Sequence, residues 1–481
     1  MGEIHPMDWQ APRKCTLLSI LSLSTLILSN CADYVQTNST TKVKSNAPAS
    51  WKAASKGQHA QISTSWLSEF SSPAMTSLVN EAVSNNPNLN AVAARLRVTR
   101  LNTIGTTANR LPSLSGSTSS SRSRNGNGSA TRTINESFGL SLSASWEPDI
   151  WGQLKDLDDA SVSNYQASIA DFRSARLSLA ANTASAYCNL VTAGQQLELA
   201  IQTLGSFRKN KDIIERNYKA GVPGTRAIDV QLSRTNVASA ERDLENSRLQ
   251  RDDAARALEV LLGRYPSSEI QTLRELPELK KSIPVGLPSE LVSRRPDLIA
   301  AQLDVYSSAK QADAAQKNLL PSFNFSSSAS TNDDTPRNIF DPSFIAANIA
   351  ASLTQTIYNG GALRASAKAA LENNQATIYD LSTTAINAFR EVEDAIDRDA
   401  SLMEQESLLI IEVKQSTLAE KSAELDYSEG AENSGIIEIL ESQRRANDAR
   451  ATLINIRNNR LQNRIDLHLA LGGDYRTYPS K

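Results

Sequence analysis

Residues 138–146 read Phe-Gly-Leu-Ser-Leu-Ser-Ala-Ser-Trp. Phe138, Leu140, Leu142, Ala144 and Trp146 alternate with Gly139, Ser141, Ser143 and Ser145. Successive side chains of a strand point to opposite faces, so this period of two predicts a β-strand with one apolar and one polar face. A second such stretch lies far downstream, where Ile345, Ala347, Ile349, Ala351 and Leu353 alternate with Ala346, Asn348, Ala350 and Ser352. Each is preceded by a Ser-rich run, 113–121 or 322–330, the latter with Phe323 and Phe325 at alternate positions. The polar stretches 122–137 and 331–342 read as connecting loops. Two hairpins, four strands in all, are expected.

The hairpins sit at matching places in a duplicated chain. Residues 86–121 lie over 295–330 without a gap, at an offset of 209 positions (295 minus 86). Pro87, Leu89 and Ala91 meet Pro296, Leu298 and Ala300, and Leu111-Pro112-Ser113 meets Leu320-Pro321-Ser322. The register still holds at Tyr218 and Gly221 against Tyr427 and Gly430, and at Leu258, Leu262 and Gly263 against Leu467, Leu471 and Gly472. Only residues 146–152 need a shift, against 353–361. The period is far too long for a solenoid, and duplicated halves imply a pseudo-symmetric architecture, ring-like or membrane-embedded.

Between the strands the pattern is helical. Residues 72–110 carry Ala, Leu and Val at three- and four-residue spacing until Leu111-Pro112, where proline ends a helix. After each hairpin an uninterrupted helical pattern runs over 155–220 and 363–429; about 65 residues at 1.5 Å each extend roughly 100 Å. Leu190, Leu197, Ile201 and Leu204 suggest a coiled-coil-like seam. Each long helix ends at a glycine turn, Gly221-Val222-Pro223-Gly224 or 430–435, and is followed by a shorter helix, 226–262 or 436–471. In the shorter helices Val230, Val237 and Leu244 repeat at sevens and are matched by Ile439, Ala446 and Leu453. A Pro-rich strap joins the halves. The organisation expected is a lipoprotein signal (1–30), a tether (31–60), a first repeat (61–264), the strap (265–286), a second repeat (287–473) and a short tail (474–481).

Aromatics are 5 % and the net charge is −2 over 481 residues. That composition suits long helices with narrow apolar stripes. It lacks the basic excess of nucleic-acid binders, so no nucleic-acid partner is expected. Arg13 and Lys14 precede the apolar stretch 17–28, too short to span a bilayer but right for a secretory h-region. It ends in Leu28-Ser29-Asn30-Cys31, which resembles a lipobox; Ala32 after the cysteine resembles outer-membrane sorting. A covalent lipid on Cys31 is therefore expected, and no cofactor. Asn30 departs from the usual small residue, and an ordinary cleaved signal is the competing reading. Cys188 reads as a packing residue. No later segment holds 18 consecutive apolar residues, so a membrane entry must be made by strands.

Four amphipathic strands cannot stand in lipid alone. Lipid offers no partner to an edge strand's N–H and C=O groups, so membrane sheets close, with eight strands about the minimum. Three chains pooling four strands each would give twelve and would close the helices into a cylinder. The expected fold is thus mainly α with a membrane β-barrel, built as a homotrimer. A lipid-anchored coiled-coil protein without a pore is the alternative.

Gly286-Leu287-Pro288-Ser289-Glu290-Leu291, running into Arg294-Arg295-Pro296-Asp297-Leu298, resembles the mid-chain signature of TolC/OprM-like outer-membrane efflux lipoproteins of the NodT type. Residues 146–152 and 357–361 look like that family's strand-to-helix turns, and Asp229-Val230-Gln231 like the stretch after its first glycine turn. The resemblance covers about 60–473. It implies a trimer with a twelve-strand barrel and a twelve-helix periplasmic tunnel. It also implies a role as exit duct of a tripartite pump with a periplasmic adaptor and an inner-membrane transporter of the resistance-nodulation-division type. A duct for protein export is a variant of that reading.

No catalytic constellation stands out: the histidines are His5, His59 and His468, without an HExxH pair or a cysteine cluster. The candidate working residues lie at the glycine turns. Glu438 and Glu441, three apart on one helix face, would form two acidic rings in a trimer. The resemblance places a periplasmic gate there; periodicity alone equally allows a solvated face. The resemblance also makes Asp229 a residue that ties the tips together, but its family partner, an Arg, is replaced by Ser434, leaving Arg226 as a substitute. Gly221, Gly224, Gly430 and Gly435 allow tight turns and are candidate adaptor-docking tips. Trp146 and Trp151 fit either an interfacial aromatic belt or packing at the strand–helix junction.

Overall fold

A computed structural model describes residues 50–53, 66–127, 131–271, 275–279, 288–428 and 436–473. Cys31, Gly430, Ser434 and Gly435 lie outside the described residues.

After a short 3₁₀ turn at Trp66–Phe70, the first half runs α1 (Pro73–Asn85), α2 (Pro87–Ala108), β1 (Ser113–Asn127), β2 (Thr131–Trp146), α3 (Gln153–Lys219) and α4 (Ala227–Leu261). The second half repeats it as α5 (Pro288–Arg294), α6 (Pro296–Lys317), β3 (Ser322–Asp333), β4 (Ala346–Thr354), α7 (Ala362–Ser428) and α8 (Ile436–Ala470). The duplication is kept to the residue in the three longer pairs of helices. α2 and α6 have 22 residues each, α3 and α7 67, and α4 and α8 35.

Two expectations change. The single helix over 72–110 is two, because Pro87 has no N–H to continue a helix while the Asn86 carboxamide caps Leu89 N at 3.1 Å. The stretch 122–137 is not a loop: β1 and β2 stay paired up to Asn127 and Thr131. Apart from Ala130 and Ile134 its residues are polar or glycine, so hydrophobic alternation stops although the ladder does not.

The four strands form one antiparallel sheet in the order β1-β2-β3-β4. Its register puts Leu114 opposite Ala144, Thr118 opposite Leu140, Leu142 opposite Ala329, Trp146 opposite Phe325 and Phe323 opposite Leu353, all on one face. The Trp146 and Phe325 rings meet there at 6.2 Å between centroids. The other face is a serine ladder, with Ser113–Ser145, Ser115–Ser143 and Ser117–Ser141 hydroxyls each 2.8 Å apart. β1 and β4 each keep one edge unpaired within the chain.

The long helices pack by heptads. Leu204 is buried against Ala240 and Leu244, with Leu197 and Val237 partly buried beside them. Ile201 falls outside this seam at 46 % exposure, so the expected run keeps strict sevens, Leu190, Leu197 and Leu204. Cys188 is fully buried in a core with Trp66, Phe70, Tyr187 and Ile465, and burial pushes its thiol up to about 12, as befits an inert packing residue.

Beside that core lies a buried charged cluster. The His468 Nε2 is 3.0 Å from Glu69 Oε2, Arg464 stands 3.5 Å from Glu69 and 3.8 Å from Asp399, and Trp66 stacks on His468. It fastens the 3₁₀ turn of the first half to α7 and α8 of the second. Nearby, Lys52 N and Ala53 N both donate to the Glu393 carboxylate at 2.9 Å, pinning residues 50–53 to α7.

The pseudo-symmetry survives in detail at the short helices' ends. Asn86 Nδ2 donates to Leu261 O at 2.9 Å; at the offset of 209, Arg295 Nη1 donates to Ala470 O at 3.1 Å. Gly263 and Gly472 end α4 and α8 at φ 74° and 68°. A Cβ on Gly263 would meet Asn85 O at 2.9 Å, and one on Gly472 the backbone of Arg295 at 3.0 Å. Gly221 shares the positive φ but faces open space. Gly263→Ala is therefore expected to lower the melting temperature well beyond Gly221→Ala, which carries only the ~1–2 kcal/mol cost of a left-handed L-residue. Equal losses by circular dichroism would contradict the contact.

Candidate functional site

The candidate residues gather at the two opposite ends of α3. At the strand–helix junction the backbone must turn sharply, and Gly152 supplies φ 75° ahead of the first turn of α3. Asp149 caps that turn, accepting from Leu154 N at 3.0 Å and Lys155 N at 2.7 Å. Asp156, buried, is bridged by Lys310 at 3.1 Å and by Lys317, both from α6. Asp158 accepts from Thr107 on α2 at 2.6 Å and from Arg110, in the turn just after it, at 3.0 Å. Buried carboxylates need such partners. The two tryptophans are tied into the same junction: Trp146 Nε1 donates to Arg110 O at 3.0 Å and Trp151 Nε1 to Pro321 O at 2.7 Å. Both indoles thus keep an apolar ring and a satisfied polar edge at the junction.

At the far end, α3 stops where Gly221 adopts φ 68°, with Val222 N returning to Asn217 O at 3.0 Å, a left-handed helix stop. Gly224, at φ 90°, turns the chain into α4. Asp229 is nearly buried and held by its own turn: Arg226 N donates to it at 2.8 Å and Arg226 Nη2 at 3.2 Å. Arg226 is therefore its partner within the chain. Beneath the turns Ile214, Val230, Ile436 and Ile439 form a small apolar core that brings the first tip against α8.

The structure gives Glu438 and Glu441 unequal settings. Glu438 is exposed in the first turn of α8. Glu441 is gripped by two arginines of the same helix, Arg444 at 2.9 and 3.0 Å and Arg445 at 2.7 Å. These charge-assisted bonds hold its carboxyl well below the usual range, at about 2. Arg444 reaches on to Asp448 at 2.9 Å. The bare pair of acidic rings read from spacing is thus a mixed-charge strip. The arginines were visible at i+3 and i+4 from Glu441, a spacing that places them on its face.

Sequence reasoning missed Gln443. It is fully buried, accepting from Asn210 Nδ2 of α3 and donating to Glu424 Oε1 of α7, both at 2.9 Å. One amide so pins three helices just above the acidic pair. Its signal was a polar residue in the apolar seam between Ile439 and Ala446. A groove of ≈ 560 Å³ opens beside it, lined by Lys209, Ile213, Asn217, Lys421, Glu424 and Tyr427.

A two-faced four-stranded sheet with open edges, joined to paired helices of about 100 Å, defines a barrel-and-tunnel channel subunit. The chain belongs to the outer membrane efflux protein family, which it matches over residues 78–264 and 287–473. It is 28 % identical over 413 residues to the cation efflux system protein CusC of Escherichia coli, covering 85 % of this chain and 88 % of that protein. It is 29 % identical over 435 residues to the outer membrane protein OprJ of Pseudomonas aeruginosa, covering 89 % and 90 %. Its fold is that of the Campylobacter jejuni CmeC outer membrane channel, at a TM-score of 0.82, 20 % identity and coverage of 90 % and 93 %. The outer-membrane channel OprN superposes with a TM-score of 0.80 at 22 % identity, covering 89 % and 96 %. The fold is TolC-like, and the protein is an outer-membrane efflux channel that extends into the periplasm.

The arginine grip on Glu441 has a measurable consequence. With Arg444 and Arg445 both changed to Ala, the Glu441 carboxyl returns toward its ordinary value near 4.5. A lowered pKa keeps the charge at every pH above it, so the wild-type carboxylate stays ionised down to about 2. The variant is expected to favour cations more strongly at pH 7 and to lose that preference as pH falls through roughly 4 to 5. Reversal potentials in salt gradients measure this; identical wild-type and variant profiles would remove Glu441 from the conduction path.

Proposed function

We propose that three copies of this chain close into a duct that passively carries small molecules from a periplasmic adaptor and an inner-membrane transporter of the resistance-nodulation-division type to the exterior. The observation that carries this reading is the sheet. Its one apolar face needs lipid, while its two unpaired edges forbid lipid, and pooling four strands from each of three chains removes both edges. The helices support it. Ile411 and Leu418, seven apart on α7, are each more than half exposed, an apolar stripe that a neighbouring helix would cover.

In this reading Glu438, Glu441 and Asp229 form the periplasmic constriction. Gly221, Gly224, Gly430 and Gly435 shape the tips that meet the adaptor, and Cys31 carries the lipid. The duct needs no cofactor and performs no reaction. The names of two relatives span different cargoes, cation efflux for CusC and pyoverdine export for OpmQ of Pseudomonas putida. With only four methionines in the chain, and Met75 sunk in the core, this sequence supports organic rather than soft-metal cargo.

Purified protein reconstituted in planar bilayers is expected to give discrete single-channel currents and to run as a trimer by mass in detergent. Glu438→Ala combined with Glu441→Ala should raise conductance or change cation preference. A monomer without conductance would exclude the duct; unchanged currents in the double variant would remove the gate.

A further inference from the structure

The first hairpin outruns its apolar band. Phe138, opposite Ser120, ends the continuous apolar run on the lipid-facing side of this pair, and Ile134 recurs beyond it. Beyond it the ladder continues with Arg122 opposite Glu136 and Arg124 opposite Ile134. Strand alternation keeps both arginines on the face of Leu114, Leu140 and Leu142. At ~3.4 Å per residue Arg122 lies ~7 Å and Arg124, beside Ile134, ~14 Å past the level of Phe138 along the strand. With the usual tilt of about 40° that is ~5 and ~10 Å above it, the depth of lipid head groups.

Both side chains are exposed. The Arg122–Glu136 pair, 3.2 Å long and 69 % and 43 % exposed, is a weak surface contact that a better anion can replace. No acid faces Arg124 in the register. Every cation between residues 121 and 137 is arginine (122, 124 and 132) against the single Glu136, so the hairpin carries +2 (3 minus 1). The second hairpin's crossing is acidic: Asp333, which the register sets opposite Phe138, accepts from Thr335 N at 2.8 Å, and Asp341 accepts from Ser343 N at 2.9 Å. The excess of positive charge thus lies on the first hairpin. Guanidinium groups offer planar paired donors that match phosphate oxygens.

We propose that Arg122 and Arg124 form a phosphate-binding rim that holds phosphorylated lipids of the outer leaflet against the barrel. The proposal rests on the barrel reading above. The test uses full-length protein and its Arg122→Gln/Arg124→Gln variant in detergent, with three probes: a bis-phosphorylated glycolipid of the lipid A type, its dephosphorylated form, and inorganic phosphate. Native mass spectrometry is expected to show wild type retaining the phosphorylated lipid, with the variant about tenfold weaker. An Arg122→Lys/Arg124→Lys variant, which keeps charge without the fork, should fall between. Equal retention by wild type and the Gln variant, or equal binding of the dephosphorylated lipid, would overturn the rim. Competition by millimolar inorganic phosphate alone would reassign the arginines to a free anion and overturn the lipid assignment. Single-channel currents, recorded on the same samples, keep the duct reading separate: normal conductance with no lipid retention fails only the rim.

Discussion

Backbone hydrogen bonding in lipid is the constraint from which the rest of this structure follows. A strand edge in hydrocarbon leaves a row of N–H and C=O groups unpaired, each costing several kcal/mol. One chain contributes only β1 to β4 and keeps both outer edges open. Closure must therefore come from other copies. Once copies are joined around an axis at the barrel, their helices are joined too, because α3 and α7 continue directly from β2 and β4. The junction has to transmit that geometry rigidly. This explains why so many buried polar ties collect there: Asp156 and Asp158 reach α6 and α2, and two tryptophan N–H groups hold backbone carbonyls on either side of the turn.

Duplication solves the tunnel with one design used twice, and the places where the halves differ show what each half adds. The left-handed glycines 263 and 472 let the neighbouring helix start press against the end of α4 or α8. The anchoring side chain there is Asn86 in one half and Arg295 in the other. Arg295 is the more heavily committed, paired also with Asp297 and Glu391 at 2.6 Å. At the next matched position Glu259 accepts from Ser268 N and Glu269 N of the strap, whereas His468 meets Glu69. Each half thus uses the same helix position to hold a different passing segment, the strap in one case and the incoming chain in the other.

Most of the fold was legible because its signals are periodic and long. Nine alternating residues at 138–146, two sustained helical runs and a constant offset specify strands, helices and duplication. What failed was non-periodic. The outer parts of β1 and β2 hold almost no apolar residues besides Ile134, so the ladder there leaves little hydrophobic trace. The break at Asn86 is a capping event inside an otherwise helical pattern. The site was less legible than the fold, since its chemistry lies in contacts between distant residues. Nothing in spacing says that Gln443 meets Asn210 and Glu424, or that Asp156 meets Lys310 and Lys317. The Glu441–Arg444–Arg445 cluster was local and readable; reading the acids without their neighbours overstated the negative charge.

The distribution of charge along the path then decides where a conduit of this kind discriminates. The polar face of the sheet is built from Ser, Asn, Gly and Ala over the band that opposes the apolar face, with hydroxyls paired to each other across strands. Such a wall offers hydrogen bonds to any solute and a field to none. Charges appear at the opposite end of α3 and α7, around α8, where Glu438, Glu441, Arg444, Arg445 and Asp448 share a few turns. Because the arginines neutralise Glu441 locally, the field there is short-ranged and weaker than the acidic count implies, and salt screens what remains beyond about 8 Å. A narrow opening is then needed for those charges to be felt by a passing solute. In the proposed duct, selectivity and opening would then belong to the same few turns of helix, leaving the barrel free to be permissive.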